Sequence, residues 1–135
     1  MSLRGTAVRS FEKRMKEVFD RIDHELEERY GDRWPLHPAR PARGSTNNPE
    51  YYGLFSLGAS FSAGYGSAHG RGYVMDIRLM TLADVPAEAR NEIRRYVVDR
   101  CTKLIPEYFP ERELSVVRDG DVFKIIGDLS LEKQG

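Results

Sequence analysis

This chain of 135 residues has a single cysteine, Cys101. One cysteine excludes an intramolecular disulfide and any thiolate cluster for zinc, and such usage fits a reducing cytoplasm. An excess of charge is missing too: 21 Lys and Arg balance 21 Asp and Glu. General nucleic-acid binding rests on neutralising many phosphates, so a neutral chain argues against it. No apolar run approaches the ~20 residues that span a bilayer, so no membrane association is expected. The first residues hold no apolar stretch of signal-peptide length. No His-Glu-x-x-His, Cys-x-x-Cys or kinase-type signature occurs. No serine sits at a strand-to-helix elbow. These absences lead us to expect no catalytic residue, no metal site and no cofactor.

What is present reads as globular: 40% apolar and 31% charged residues. The length suits one α+β domain over residues 1–135, able to bury roughly two thirds of its unfolded surface. From about residue 6 to residue 30, Phe11, Met15, Val18, Phe19, Ile22 and Leu26 recur at steps of three and four. That is the apolar stripe of an amphipathic helix. The residues between are almost all charged, Asp23, Glu25 and Glu27 among them, and Gly31 suits a left-handed cap. Residues 32–50 carry four prolines, three arginines and no period. They read as a long loop, functional or flexible.

Residues 51–63 alternate, with Phe55, Leu57, Ala59 and Phe61 on odd positions and Ser56, Gly58, Ser60 and Ser62 on even ones. Residues 73–82 alternate again, after a glycine-rich turn over residues 64–72. Period two means strands with one buried face. Pairing Phe61 with Tyr73, Ala59 with Met75, Leu57 with Ile77 and Phe55 with Leu79 puts every large apolar residue on one side. A second helix is expected to start at a capping Asp84 with an early Pro86, and to end or kink near Leu104 because Pro106 follows. Ile93, Val97, Cys101 and Leu104 are its stripe. Asp119-Gly120 signals a two-residue hairpin turn pairing Val117 with Val122, Val116 with Phe123 and Leu114 with Ile125.

The order α-β-β-α-β-β predicts a two-layer sandwich, with both helices on one face of a four-stranded antiparallel sheet. It is also the order of a ferredoxin-like unit whose first strand is moved to the end, which gives sheet order 1-2-4-3. The competing order is 1-2-3-4. The core should combine Phe11, Phe19, Ile22, Phe55, Leu57, Phe61, Ile77, Leu79, Ile93, Val97, Leu104, Val116, Phe123 and Ile125.

Two places in this frame are unusual. The sheet face away from the helices offers Ser56, Gly58, Ser60 and Ser62, with Val74, Asp76, Arg78, Lys124 and Ile126 beside them. Small residues permit close approach of another sheet or backbone, whereas a solvated face usually carries long polar side chains. At ~3.3 Å per residue, residues 51–63 would span about 40 Å, as long as the domain, so the hairpin tip should protrude. The face and the tip, with Tyr65 and Tyr73, then suit a homodimer interface above ~1,000 Å². The second place is the glycine-rich turn, which with His69, Arg71, Asp76 and Arg78 is an alternative anion or small-ligand site. A hairpin tip needs no ligand to explain its glycines, and the turn lacks dinucleotide and P-loop spacing.

Three further features have plainer readings. Asp20, His24 and Glu28 lie one turn apart and read as solvated helical pairs rather than metal ligands. Residues 34–41 are a short proline-rich stretch, a linker or a docking segment for a protein partner. Cys101 reads as an inert core thiol.

Overall fold

The computed structural model describes residues 3–42, 52–65, 69–119 and 122–127, with backbone alone for residues 3–9. Its elements are α1 (Leu3–Tyr30), β1 (Phe55–Ser62), β2 (Gly72–Leu79), α2 (Ala87–Tyr108), β3 (Leu114–Asp119) and β4 (Val122–Gly127). The strands form one antiparallel sheet in the order β1-β2-β4-β3. That is the order the permutation predicts, in an α+β sandwich.

The stripe of α1 is the largest single contribution to the core: Phe11, Met15, Val18, Phe19, Ile22, Leu26 and Tyr30 are all buried. Burying side chains of this size contributes about 1.5–3 kcal/mol each. From α2 come Ile93, Val97, Cys101, Leu104 and Ile105, and from the sheet Phe55, Leu57, Met75 and Ile125. Ile77, Leu79, Val116 and Phe123 pack against this cluster while partly buried. The β1–β2 register pairs Phe55 with Leu79, Leu57 with Ile77, Ala59 with Met75 and Phe61 with Tyr73. It is the register that the apolar alternation demands.

Phe61 does not join the core; it is 56% exposed. It lies on the edge strand with its ring against Tyr73, centroids 5.6 Å apart, while Phe11 stacks on Tyr73 at 5.4 Å. β1 is also shorter than residues 51–63. Its eight residues span about 26 Å, so the hairpin is not as long as the molecule. The reason is Gly53, whose φ of +77° bends the chain just before the strand.

The second hairpin is shifted by two residues from the expected register. Asp119 faces Val122, Val117 faces Lys124, Val116 faces Ile125 and Leu114 faces Gly127. An even shift leaves every residue on its original face, so apolar patterning cannot distinguish the two registers. In the observed one, Asp119 is a strand residue and its carboxylate meets Lys124 Nζ at 2.8 Å. The expected turn residue Gly120 lies outside the described residues.

The ends of the helices also depart from expectation. At α2 the N-cap is Pro86, in extended conformation, with no side-chain capping bond from Asp84 or any other residue. Pro106 lies inside α2, which continues to Tyr108. One lost backbone donor is outweighed there because Ile105 and Phe109 are both buried, and the Phe109 N–H donates to the Ile105 carbonyl at 2.8 Å. At the end of α1, Gly31 is not left-handed. Its N–H donates to the Glu27 carbonyl at 2.9 Å, and a Cβ there would strike Glu27.

Candidate functional site

α1 buries two acids that the periodicity assigns to water, Asp23 at 2% and Glu27 at 7% exposure. Glu27 explains the local chain. Its Oε1 accepts the Phe55 N–H at 2.9 Å across the sandwich. At Gly53 a Cβ would come within 2.3 Å of the same carboxylate oxygen. Glycine is thus required twice over at residue 53, by its positive φ and by the carboxylate beside it.

The proline-rich loop reaches the same place from the other side. Arg40 donates from Nε to the Gly53 carbonyl at 3.1 Å, and from Nη2 to the Tyr52 and Phe55 carbonyls at 3.2 Å each. The Gly53 N–H donates to the Pro41 carbonyl at 2.9 Å, and the His37 N–H to the Met80 carbonyl at 2.9 Å. Trp34 packs on the core. Residues 32–42 contain no helix or strand, as expected, but they are tied down. These three guanidinium bonds end on backbone carbonyls at and just before the start of β1. Residues 43–50, the rest of the expected loop, lie outside the described residues. Beside this anchor is a wide cleft of about 800 Å³, lined by Glu27, Glu28, Asp32, Arg33, Trp34 and Gly53.

On the opposite face of the sheet, Ser56, Gly58 and Ser62 are half-buried and Ser60 is exposed. Neither helix covers them. Val74, Val117 and Ile126 are half-buried beside them. Lys124 is the exception on this face, buried to 2% exposure. Its Nζ donates to the Gly70 carbonyl at 2.8 Å as well as meeting Asp119. Gly70, in the later part of the glycine-rich turn, is thus tied to Lys124 of β4. A Cβ at Gly64 would approach the Gly70 carbonyl to 2.2 Å, so close backbone packing accounts for that glycine. Residues 66–68 of the turn lie outside the described residues.

The residues of the alternative ligand site are spread out. Asp76 and Arg78 form a salt bridge with each other at 2.8 Å on the open face, with side chains 54% and 68% exposed. Arg71 is exposed at the tip end, about 16 Å along the strand from Asp76, and His69 is exposed near it. Of the two aromatics assigned to the interface, Tyr65 is 96% exposed at the tip. Tyr73 is not on the open face: it points to the helix side, against Phe11.

Between the helices, Glu25 accepts the Tyr96 hydroxyl at 2.8 Å and both Arg100 donors at 2.8 and 3.0 Å. Burial alone would raise the Glu25 pKa, but Arg100 and Tyr96 together hold it below the ordinary 4.5. The group ties α1 to α2. His24 pairs with Glu28 at 3.2 Å and Lys16 with Asp20 at 3.0 Å, both along the exposed side of α1. Among the described residues no cluster of three metal-ligating side chains occurs, and no helix is long and apolar enough to cross a membrane. Cys101 is buried, and burial pushes its thiol up to about 12.

Comparison with known proteins agrees in extent with this fold. A family model described as "Uncharacterised protein" matches residues 6–127, from α1 to the end of β4. The chain belongs to that family. An "Uncharacterized protein" of Borreliella burgdorferi (strain B31) is 39% identical over 106 residues, covering 78% of this chain and 83% of that one. No solved structure gives a significant match.

Proposed function

We propose that this protein works by association rather than catalysis, in the cytoplasm, through the open face of the β1–β2 hairpin as a homodimer or small adaptor. The observation that carries this reading is the row Ser56, Gly58, Ser60 and Ser62, left uncovered by both helices. Four small residues in line leave a flat strip on which another surface can come close to the backbone. Half-buried Val74, Val117 and Ile126 supply apolar area beside the strip, and Tyr65 extends it at the tip. The alternative, an anion site at the glycine-rich turn, has less support. Lys124 already holds the turn, and Asp76 and Arg78 neutralise one another.

Light scattering on the purified protein tests the self-association form. A species of twice the chain mass is expected at high micromolar concentration. Replacing Gly58 and Ser60 with Arg then asks whether the face itself is in the contact: a folded monomer puts the contact on the face, and an unchanged dimer puts it elsewhere on the hairpin. A wild-type protein that stays monomeric rejects the homodimer and shifts weight to the ligand reading.

A further inference from the structure

The outer edge of β1 is treated differently along its length. In an antiparallel ladder, alternate residues turn both N–H and C=O away from the neighbouring strand. Phe55 is one of these: its N–H goes to Glu27 and its C=O accepts from Arg40, both on the side away from β2. Leu54 is the complement, since its carbonyl accepts the Met80 N–H at 2.7 Å across the hairpin. The phase is therefore set by two independent bonds. Continuing it, Leu57, Ala59 and Phe61 direct their N–H and C=O groups outward. Among the described residues these groups have no hydrogen-bond acceptor or donor.

The same three residues form one wall of a groove of about 280 Å³ between β1 and α1, with Met15, Phe19 and Tyr73 on its other sides and the charged Glu12, Lys16 and Asp20 of α1 also lining it. A strand added here would place alternate side chains in that groove. The residues opposite Gly58 and Ser60 would instead project over the open face, beside the small side chains of β1 itself. The occupant that this edge specifies is thus an extended segment, apolar at every second position and small between.

We propose that the occupant is β1 of a second copy of this chain, paired antiparallel about a two-fold axis at Ala59. The proposal rests on the association reading and names its contact. The sequence Leu57-Gly58-Ala59-Ser60-Phe61 is itself apolar at alternate positions and small between. Its open rungs are the odd residues on both copies, so only an odd-to-odd register brings donors to acceptors. Centring on Ala59 uses all three: Leu57 faces the partner's Phe61, Ala59 faces the partner's Ala59, and Phe61 faces the partner's Leu57. Centring one residue to either side pairs only two of them. Phe61, 56% exposed in one chain, is then covered. The two sheets become one of eight strands, and the two Ser/Gly faces merge into a continuous surface. The contact is isologous, as a closed two-fold dimer requires.

Ala59→Pro is the first test. It removes one outward N–H and leaves the bonds to β2 intact, because the Ala59 N–H points away from β2; proline is tolerated on edge strands for this reason. Sedimentation equilibrium should show a wild-type dimer whose association constant falls about tenfold or more in Ala59→Pro, since each copy loses a central bond. Gly58→Arg with Ser60→Arg should leave this dimer intact. A dimer that Ala59→Pro does not weaken but the two arginines abolish would overturn strand addition and retain the open face as the contact. A monomeric wild type would overturn both.

Ala59→Cys provides a readout on a fully native ladder, should Ala59→Pro fail to fold. Directly opposed residues of this kind have Cα atoms ~5.5 Å apart, within disulfide range. Mild oxidation should therefore link Ala59→Cys into a covalent dimer. It should not link Gly58→Cys, whose two copies lie diagonally ~7–8 Å apart. Cys101 does not compete, being fully buried. Cross-linking at residue 58 and not at residue 59 would overturn the register.

Discussion

The two ends of β1 differ in how their outer edge is managed. At residues 52–55 the chain closes its own edge, with Glu27 from α1 and Arg40 and Pro41 from the proline-rich loop. At residues 57–61 the described structure supplies only a groove and a half-exposed phenylalanine. An open edge recruits other chains, and proteins normally cover or charge it. Here a buried carboxylate and a guanidinium answer the first residue of a short strand and the two residues of the bend before it. Among the described residues, nothing answers the rest of that edge, and that is the stretch the proposed dimer uses.

The sharpest way to test this contrast is one substitution type at both ends. Phe55 and Phe61 lie on the same side of the same strand, one fully buried and one 56% exposed. Phe55→Ala should cost about 3–5 kcal/mol, and Phe61→Ala about 1 kcal/mol or less, in urea unfolding at low protein concentration. Equal losses would mean that the groove beside Phe61 is closed in the single chain.

Next in size is the carboxylate. Glu27→Ala leaves the buried Phe55 N–H without its acceptor and should cost about 2–3 kcal/mol, read as a lower urea midpoint. The same change should make Gly53 less restrictive. In the Glu27→Ala background, Gly53→Ala should cost only its positive-φ strain of about 1–2 kcal/mol. In the wild type the carboxylate clash adds to that. Strictly additive losses would separate Gly53 from Glu27.

Arg40→Ala should cost about 1–2 kcal/mol, because three carbonyls lose a charged donor at a partly exposed site. Hydrogen exchange at Gly53 and His37 should accelerate while the amides of Leu26 and Val97 keep their protection. Unchanged exchange at Gly53 would show that the loop does not hold the edge.

The smallest effect belongs to the helix pair, away from β1. Glu25 titrates below 4.5 when folded. Its stabilising contribution is therefore complete above the unfolded value and is lost as pH falls through the lower folded one. Glu25→Gln should cost about 1 kcal/mol at neutral pH and progressively less below about pH 4.5, as the wild-type carboxyl becomes neutral too. A loss independent of pH would mean that Glu25 acts by packing alone.

Much of this molecule could be read from residue order. Hairpin β1–β2 was legible because bulky apolar residues alternate with serine and glycine, so a slip of one residue would expose Leu57 and Ile77. The register of hairpin β3–β4 was not. A shift by two preserves both faces, and the choice rests on Lys124 meeting Asp119 and on pairing with β2. The end of α2 was misread because proline's local cost is visible in sequence while the burial of Phe109 is not. Of the candidate surface, the Ser/Gly row was visible as a pattern. The closing residues Glu27 and Arg40 were not, since a charged residue in an amphipathic helix or a loop looks solvated until its partner is known. Gly53 was the available signal, an isolated glycine just before an apolar strand.

By itself the sequence determined the element order, the apolar faces and the first register, because these follow from periodicities of 3.6 and 2 that local geometry imposes. Only the tertiary structure decided which backbone groups of β1 are answered. Hydrogen bonding of an edge depends on side chains that arrive from α1 and the loop, 28 and 15 positions away from Phe55 in the chain, and no local pattern encodes that encounter.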